Sequence, residues 1–318
     1  MAPAQRTQLG RISLLGGLGF IGSHIGRELV NRGYSVCIFD KPNVSQGLIG
    51  DFEDSVKVVE GDVSRPEDVL AAIADTEIVI NLIHTTVPGS SMSDPSYDVT
   101  SNVAPAANWL KQLRNTSVRK ILYFSSGGTV YGIPEEVPIT EDHPTNPYSS
   151  YGITKLAIEK YTAMYARQIG IDYCLLRPSN VYGPGQRLHI GQGVIGVLAN
   201  RALHGESLEI WGDGTNSRDY LFIDDLVSGV MALLSYGGPF RVFNLSSGQG
   251  HSVLDIVSIL RNQVLQLPTV VHLPERGFDV PENVLTSSRM RHETGWRAKV
   301  GLEDGINRTV SWIKTGAA

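Results

Sequence analysis

The stretch that most limits how this chain can fold is residues 11–24, RISLLGGLGFIGSH. An apolar run ends abruptly in glycines, and a helical pattern begins within a few residues. A short apolar run bounded by glycine reads as a buried strand, and the residues from 21 onward read as helix. Glycine at such a crossing permits a tight turn and lets a ligand come close to the main chain. Gly17-x-Gly19-x-x-Gly22 has the spacing of a dinucleotide-binding turn, in which a pyrophosphate sits over the first N–H groups of the helix. By itself this spacing is a weak signal, because glycine-rich turns are common.

Its surroundings give it weight. RISLL at 11–15, YSVCIF at 34–39, SVKVV at 55–59, EIVINLI at 77–83, RKILYF at 119–124 and DYCLLR at 172–177 read as short buried strands. Helical patterns occupy 21–32, 66–74, 102–114 and 151–168. This alternation predicts an α/β fold of Rossmann type, a doubly wound parallel sheet with helices on both faces. After Arg177 the rhythm breaks. PSNVYGPGQRLHIGQG at 178–193 reads as a loop, followed by a helix at 194–204, a strand at 208–211, helices near 224–235 and 252–265, and a strand at 240–245. We expect a cofactor domain over 1–178, with 224–250 returning to it. A smaller, interleaved C-terminal α/β region, 179–223 and 251–318, is expected to serve substrate.

Composition excludes several classes. With 42% hydrophobic and 19% charged residues the chain suits a folded globular protein, not a disordered one. The run 12–22 is broken by glycines and followed by His24, Arg27 and Glu28, unlike a signal peptide. No apolar run approaches the ~18 residues of a membrane span. The net charge of −5 has the wrong sign for a general nucleic-acid or anionic-membrane binder. The histidines show no metal-ligand spacing, and no metal is expected. Cys37 and Cys174 lie in strand patterns, consistent with buried thiols in a reducing cytoplasm.

Gly16, Gly19, Phe20, Ile21 and Gly22 are therefore the candidate phosphate turn. Asp40 closes the second strand, where a carboxylate accepts hydrogen bonds from the adenosine ribose and repels a 2′-phosphate. NAD is favoured over NADP, although Lys41 pulls the other way and a turn cap would also explain the aspartate. Asp62 and Val63 follow the third strand and are candidates to meet the adenine; a helix-start turn is the alternative. Leu82, Ile83 and His84 end the fourth strand, on the edge where such sheets bind ligands.

SSYGITK at 149–155 places Tyr151 and Lys155 one helical turn apart, on one face. A free tyrosine, with pKa about 10, is a poor base near neutrality. A lysine ammonium and an oxidised nicotinamide nearby both favour tyrosinate. Tyr151 can then remove an alcohol proton as hydride leaves. An amphipathic helix face is the plainer reading of Y-x-x-x-K alone.

With GGLGFIGSH, GDV at 61–63, FSSGGTVYG at 124–132, YGITK, RPSNVYGPG, GDGTNSRDYLFIDDL and ERGFDVP in place, the chain resembles the extended short-chain dehydrogenase/reductases of NAD-dependent epimerase/dehydratase type. It is most similar to the UDP-hexose 4-epimerases, over essentially 11–312. The resemblance implies that Asn102, Ser125 and Pro178 also line NAD. It implies that Asn180 meets the sugar diphosphate, that Arg218 and Arg276 clamp it, and that Trp211 and Asp279 hold the uridine. Trp211 as core, the arginines as surface ion pairs and Asn102 as a helix cap stay open. It further implies a cytoplasmic homodimer packed through helices 102–114 and 151–168. Chemically, Tyr151 takes the O4 proton, C4 yields hydride to NAD, the 4-keto sugar turns over, and hydride returns to its other face.

Two departures sharpen this picture. Dehydratases and decarboxylases of the family carry an acid before Val-Tyr-Gly; here Thr129 stands there, which argues against elimination. Epimerases usually carry a serine or threonine where this chain has Gly127. The second catalytic hydroxyl then comes from Ser126 or Thr129, or Tyr151 acts alone. Four residues after Asp279, at the register of a gate beside the sugar C2 substituent, stands Asn283. Its size suits N-acetylated sugars as well as plain hexoses. Two other readings remain: a nucleotide-sugar or alcohol oxidoreductase with net hydride transfer, and a silent NAD-binding scaffold.

Overall fold

The computed structural model describes residues 9–188, 193–275 and 280–316. The chain folds into two compact units. The first takes the chain up to Thr86, with Asp94–Phe124 and Ala157–Leu175; the second takes Val87–Ser93, Ser125–Leu156 and the chain from Leu176.

In the first unit, β1 (Leu9–Leu15), β2 (Tyr34–Asp40), β3 (Val56–Glu60), β4 (Ile78–Asn81) and β5 (Lys120–Phe124) pair in parallel in the order β3-β2-β1-β4-β5. Helices α1 (Phe20–Asn31) and α2 (Pro66–Ile73) cross between strands, the second starting at a proline whose missing N–H costs nothing there. Ile12, Leu14, Leu15, Ile38, Val79, Ile80, Ile121 and Leu122 are buried almost completely. Each contributes roughly 1.5–3 kcal/mol by leaving water. The chain order reverses between β1 and β4, so the loops leaving these two strands share one edge of the sheet, the position at which open α/β sheets bind ligands.

Short α3 (Pro88–Ser93) belongs to the second unit, and α4 (Pro95–Asp98) to the first. The helix expected over 102–114 is built in three pieces: a π-helical turn over Val99–Val103, α5 (Ala104–Leu110), and a 3-10 turn over Lys111–Asn115. Helix α6 (Ser150–Ile169) runs into β6 (Asp172–Pro178) through Gly170, whose φ of 77° suits the residue after a helix. The sheet reads β10-β6-β5-β4-β1-β2-β3, the seventh strand, β10, being Val242–Leu245. The parallel α/β sheet expected from the alternation is present.

The second unit departs from expectation at 178–193. Within that stretch, β7 (Asn180–Tyr182) pairs in parallel with β9 (Ser217–Phe222). Three residues are too few to show an alternation, so the surrounding glycines and prolines hide the strand. The unit also holds α7 (Val194–His204), β8 (Leu208–Trp211), α8 (Ile223–Leu234), β11 (Gly250–His251) and α9 (Val253–Arg261). It is completed by β12 (Val270–Leu273), β13 (Glu282–Asn283), α10 (Ser288–Thr294) and α11 (Leu302–Lys314). Helix α9 ends earlier than its pattern suggests. Its start is set by a capping box, Ser252 Oγ accepting from Asp255 N–H while the Asp255 carboxylate accepts from Ser252 N–H. Cys37 and Cys174 are buried thiols, neither in a disulfide. Among the described residues no helix is long and apolar enough to cross a membrane.

Candidate active site

The first unit carries most of the expected cofactor residues; Ser125, Tyr151, Lys155 and Pro178 fall in the second. Gly16 leaves β1 with φ of 85° and donates its N–H to Phe39 O at 2.7 Å. That left-handed backbone favours glycine. A Cβ at Gly22 would lie 2.6 Å from Gly16 O and 2.6 Å from Gly17 Cα, so only glycine lets the helix rest on the turn. Gly19 is the N-cap of α1; among the described residues no side chain caps the helix, and its first turn holds no acid. The first N–H groups of α1, from Phe20 and Ile21, therefore keep their positive end for an anion. Asp40 closes β2. One carboxylate oxygen accepts Leu18 N–H at 3.0 Å and the other Lys41 N–H at 2.9 Å, so the aspartate braces the glycine turn itself.

Asp62 is exposed, and its carboxyl is held below the usual range by the Ser64 N–H and hydroxyl. Val63, Asn81, Ile83, Ser101 and Asn102 line one small cavity. After β4, Leu82 N–H bonds to Leu15 O at 2.9 Å and Ile83 N–H to Asn81 Oδ1 at 3.1 Å. His84 Nε2 lies 3.5 Å from Asp98 Oδ1, both side chains buried. Asn102, inside the π turn, donates to Asp98 and accepts Thr85 N–H at 2.8 Å. Its amide thus fastens the loop after β4. Asp98 was not legible in the sequence; its side chain also accepts from Thr86 Oγ1.

The second unit gathers the catalytic candidates. Ser125 N–H pairs with Leu176 O at 2.8 Å and Gly127 N–H with Pro178 O at 2.9 Å, which ties the 125–132 turn to the end of β6. Ser126 is half-buried. The hydroxyls of Ser125 and Thr129 are buried and have no hydrogen-bond partner among the described residues. Buried hydroxyls are normally paired, so two in one turn call for an explanation. Tyr131 OH donates to Asn244 Oδ1 at 2.7 Å, and Asn244 Nδ2 donates to Ile139 O, anchoring the turn from behind.

Tyr151 and Lys155 sit on the first two turns of α6. Lys155 is 3% exposed, with Nζ 5.7 Å from the centre of the Tyr151 ring. A Cβ at Gly152 would lie 2.8 Å from Thr129 O, so the glycine of YGITK brings the helix start against the turn that carries Thr129. The same test explains Gly127. A Cβ there would overlap Leu285 Cδ1 and lie 2.9 Å from Arg177 O and 3.1 Å from Pro178 O. A side chain at position 127 would thus crowd buried Leu285 and two carbonyls of β6.

Asn180, on β7, donates its amide to Asp219 O at 3.0 Å. Arg218, on β9, is flanked in register by His251 and Asn283 and donates to Ser217 O at 2.9 Å. Between them Asp219 is completely buried. It accepts from Ser179 Oγ, Ser247 N–H, Ser247 Oγ and Gly248 N–H, at 2.8–3.0 Å, so it locks the strands that present Asn180 and Arg218. Burial pushes its carboxyl pKa up, against the pull of these donors. No sequence pattern singled it out: it follows Ser217 and Arg218 at the polar start of β9. Asn283 is 1% exposed, and neither atom of its amide has a partner among the described residues. Trp211 ends β8 and is 46% exposed, so it is not core. Arg276 and Asp279 lie outside the described residues.

The model of the NAD dependent epimerase/dehydratase family matches residues 12–246. A putative UDP-glucose 4-epimerase of Methanocaldococcus jannaschii is 32% identical over 305 residues, covering 95% of this chain and 98% of the relative. The Thermotoga maritima UDP-glucose 4-epimerase, solved with UDP-glucose, superposes with a TM-score of 0.89 at 30% identity, covering 97% of this chain and 100% of that one. The Thermus thermophilus UDP-glucose 4-epimerase, in complex with NAD, gives 0.88 at 30% identity, covering 96% and 99%.

Proposed function

We propose, for a chain that belongs to the NAD-dependent epimerase/dehydratase family, that it interconverts UDP-hexoses epimeric at C4 through a transient 4-keto sugar. The observation that carries the reading is the pairing of Tyr151 and Lys155 on α6 with a turn that offers a threonine hydroxyl and no carboxylate.

The residues present fit NAD. The Gly16–Gly22 turn has no room for a Cβ at Gly22 and ends at a helix start with no side-chain cap among the described residues, which suits a pyrophosphate. Asp40 would meet the adenosine ribose, and Asp62 and Val63 the adenine. Leu82, Ile83, His84, Asn102, Ser125 and Pro178 would line the rest. Bound NAD supplies reversible hydride uptake at the sugar C4.

The chain's own side chains do the proton work. Tyr151 removes the O4 proton, and the Lys155 ammonium favours its tyrosinate. Ser126 and Thr129 are both half-buried, but the Thr129 Oγ1 is itself buried with no hydrogen-bond partner among the described residues, which supports Thr129 as the group that shares the O4 hydrogen bond. When hydride returns to the opposite face, Tyr151 gives the proton back. Arg218, with Arg276, binds the diphosphate through a planar fork suited to phosphate oxygens. Asn180 supports the same group, and Trp211 and Asp279 hold the uridine.

Asn283 supports acceptance of N-acetylated sugars. Its short buried amide leaves more room than an aromatic side chain and has hydrogen-bonding capacity to offer. Exposed Ile153 and Tyr161 on α6 support a homodimer through α5 and α6, to be checked by sedimentation. The buried thiols of Cys37 and Cys174, neither in a disulfide, support a cytoplasmic location.

The test is direct. Purified protein is expected to carry NAD and to interconvert UDP-glucose and UDP-galactose without added cofactor and without a lasting NADH absorbance. Stoichiometric NADH change would identify a net oxidoreductase instead. Bound NAD with neither outcome would identify a silent scaffold. UDP-N-acetylglucosamine, run in parallel, is expected to turn over, and no conversion would sink the assignment of Asn283.

A further inference from the structure

We propose that Ser91 is a positioning residue for Tyr151, and that the segment Val87–Ser93 sets the place of the first turn of α6. The proposal rests on the reading of Tyr151 as the proton-transfer group.

The chain leaves the first unit at Val87 and rejoins it at Asp94, and the excursion packs with the unit that holds Tyr151. At its centre Ser91 is completely buried. Its hydroxyl donates to Pro88 O at 2.9 Å and accepts the backbone N–H of Tyr151 at 3.1 Å. This fills both hydrogen-bonding roles of the group, so the contact has a defined direction.

The first N–H groups of any helix have no acceptor within the helix. In α6, Gly152 N–H is satisfied by Ser149 Oγ at 3.2 Å and Ile153 N–H by Ser149 O at 3.0 Å. Tyr151 N–H instead takes its acceptor from a residue 60 positions away. Behind Tyr151, Gly152 is held against Thr129 O and Pro147, where a Cβ would approach each to 2.8 Å. The helix start is therefore seated on the Thr129 turn and tethered by Ser91. The tether acts at the backbone of the very residue whose phenol must meet O4. Without it the turn can shift, and Tyr151 moves relative to both Thr129 and the Lys155 ammonium.

The experiment compares Ser91→Ala with Ser90→Ala. Ser90 lies in the same segment, and among the described residues its hydroxyl bonds only to Val87 N–H at 3.0 Å and Val87 O at 3.2 Å. We expect S91A to lower kcat about 10–100-fold with KM within about twofold, since small misplacements of reacting groups cost this much. The rise of kcat with pH should also move to higher pH, because tyrosinate loses part of its support from Lys155. S90A should leave that pH profile at its wild-type position. Ultraviolet titration of tyrosinate, with a Y151F spectrum subtracted, reads the same shift without turnover.

Wild-type kcat and an unmoved profile in S91A would overturn the proposal, as would S90A reproducing both changes. If S91A does not fold, Ser91→Cys, with a weaker acceptor, is expected to show a smaller change in the same direction; a wild-type profile in S91C would overturn the proposal equally. A wild-type protein inactive on UDP-sugars would count against the activity reading alone, and the tyrosinate titration would still decide the role of Ser91.

Discussion

Restoring the hydroxyl that relatives carry at position 127 should harm this protein. In Gly127→Ser the new Cβ overlaps Leu285 Cδ1 and lies 2.9 Å from Arg177 O and 3.1 Å from Pro178 O. Leu285 belongs to a buried cluster with Val130, Tyr131 and Ile139, so it has little space to retreat into. The carbonyls belong to β6, and Pro178 O already accepts Gly127 N–H. Overpacking of this kind costs about 1–3 kcal/mol. An unfolding entropy of about 2.1 cal/mol/K per residue puts each kcal/mol at about 1.5 °C for a chain of 318 residues. A fall in Tm of about 2–5 °C is expected by calorimetry, with kcat unchanged or reduced. Gly128→Ala is the internal control. The nearest atoms to a Cβ there are Asn180 Oδ1 at 3.9 Å and Ser126 Oγ at 4.0 Å, ordinary contacts, so its stability should stay within about 0.5 kcal/mol of wild type. A G127S protein that melts with the wild type and turns over faster would refute the reasoning. Gly127 would then be a lost catalytic position rather than one closed by packing.

Three further outcomes are expected. Thr129→Ala should lower kcat by about 100-fold, the low end of general acid–base assistance because Tyr151 remains, while Ser126→Ala should stay within a few-fold; the reverse order would assign the hydroxyl to Ser126. Asp40→Ala removes the acceptor of Leu18 N–H as well as the candidate ribose partner, so the purified variant should retain clearly less NAD, measured after acid release, than wild type. Glu141, which accepts Asn244 N–H at 3.0 Å, has its carboxyl pKa pushed up by burial. The folded state therefore binds its proton more tightly than the unfolded state, and this contribution to stability falls as pH rises from the ordinary carboxylate value of about 4.3 through the raised one. Glu141→Gln should flatten the pH dependence of Tm across that window, and an unchanged slope would contradict the assignment.

Much of this protein can be read in one dimension wherever the requirement is local. Strand β5 is buried along its whole length, and its run of apolar residues says so without coordinates. The glycine turn announces itself because Gly16 needs a left-handed backbone and Gly22 leaves no room for a Cβ. Tyr151 and Lys155 are legible from helical spacing, which holds wherever the helix lies. Asp219 was not legible: it follows Ser217 and Arg218 at the polar start of β9, and its four donors come from distant residues. Strand β7 stayed hidden because three residues carry no period.

The alternation of apolar runs, the glycine spacing and the Tyr151–Lys155 pair determined the fold class and the cofactor, since backbone sterics and helical periodicity act over a few residues. Only the tertiary structure decided why position 127 is a glycine, that Thr129 holds a buried hydroxyl with no partner among the described residues, and that Ser91 reaches Tyr151. Those facts depend on side chains far apart in sequence competing for the same volume and the same hydrogen bonds, and no local pattern records that competition.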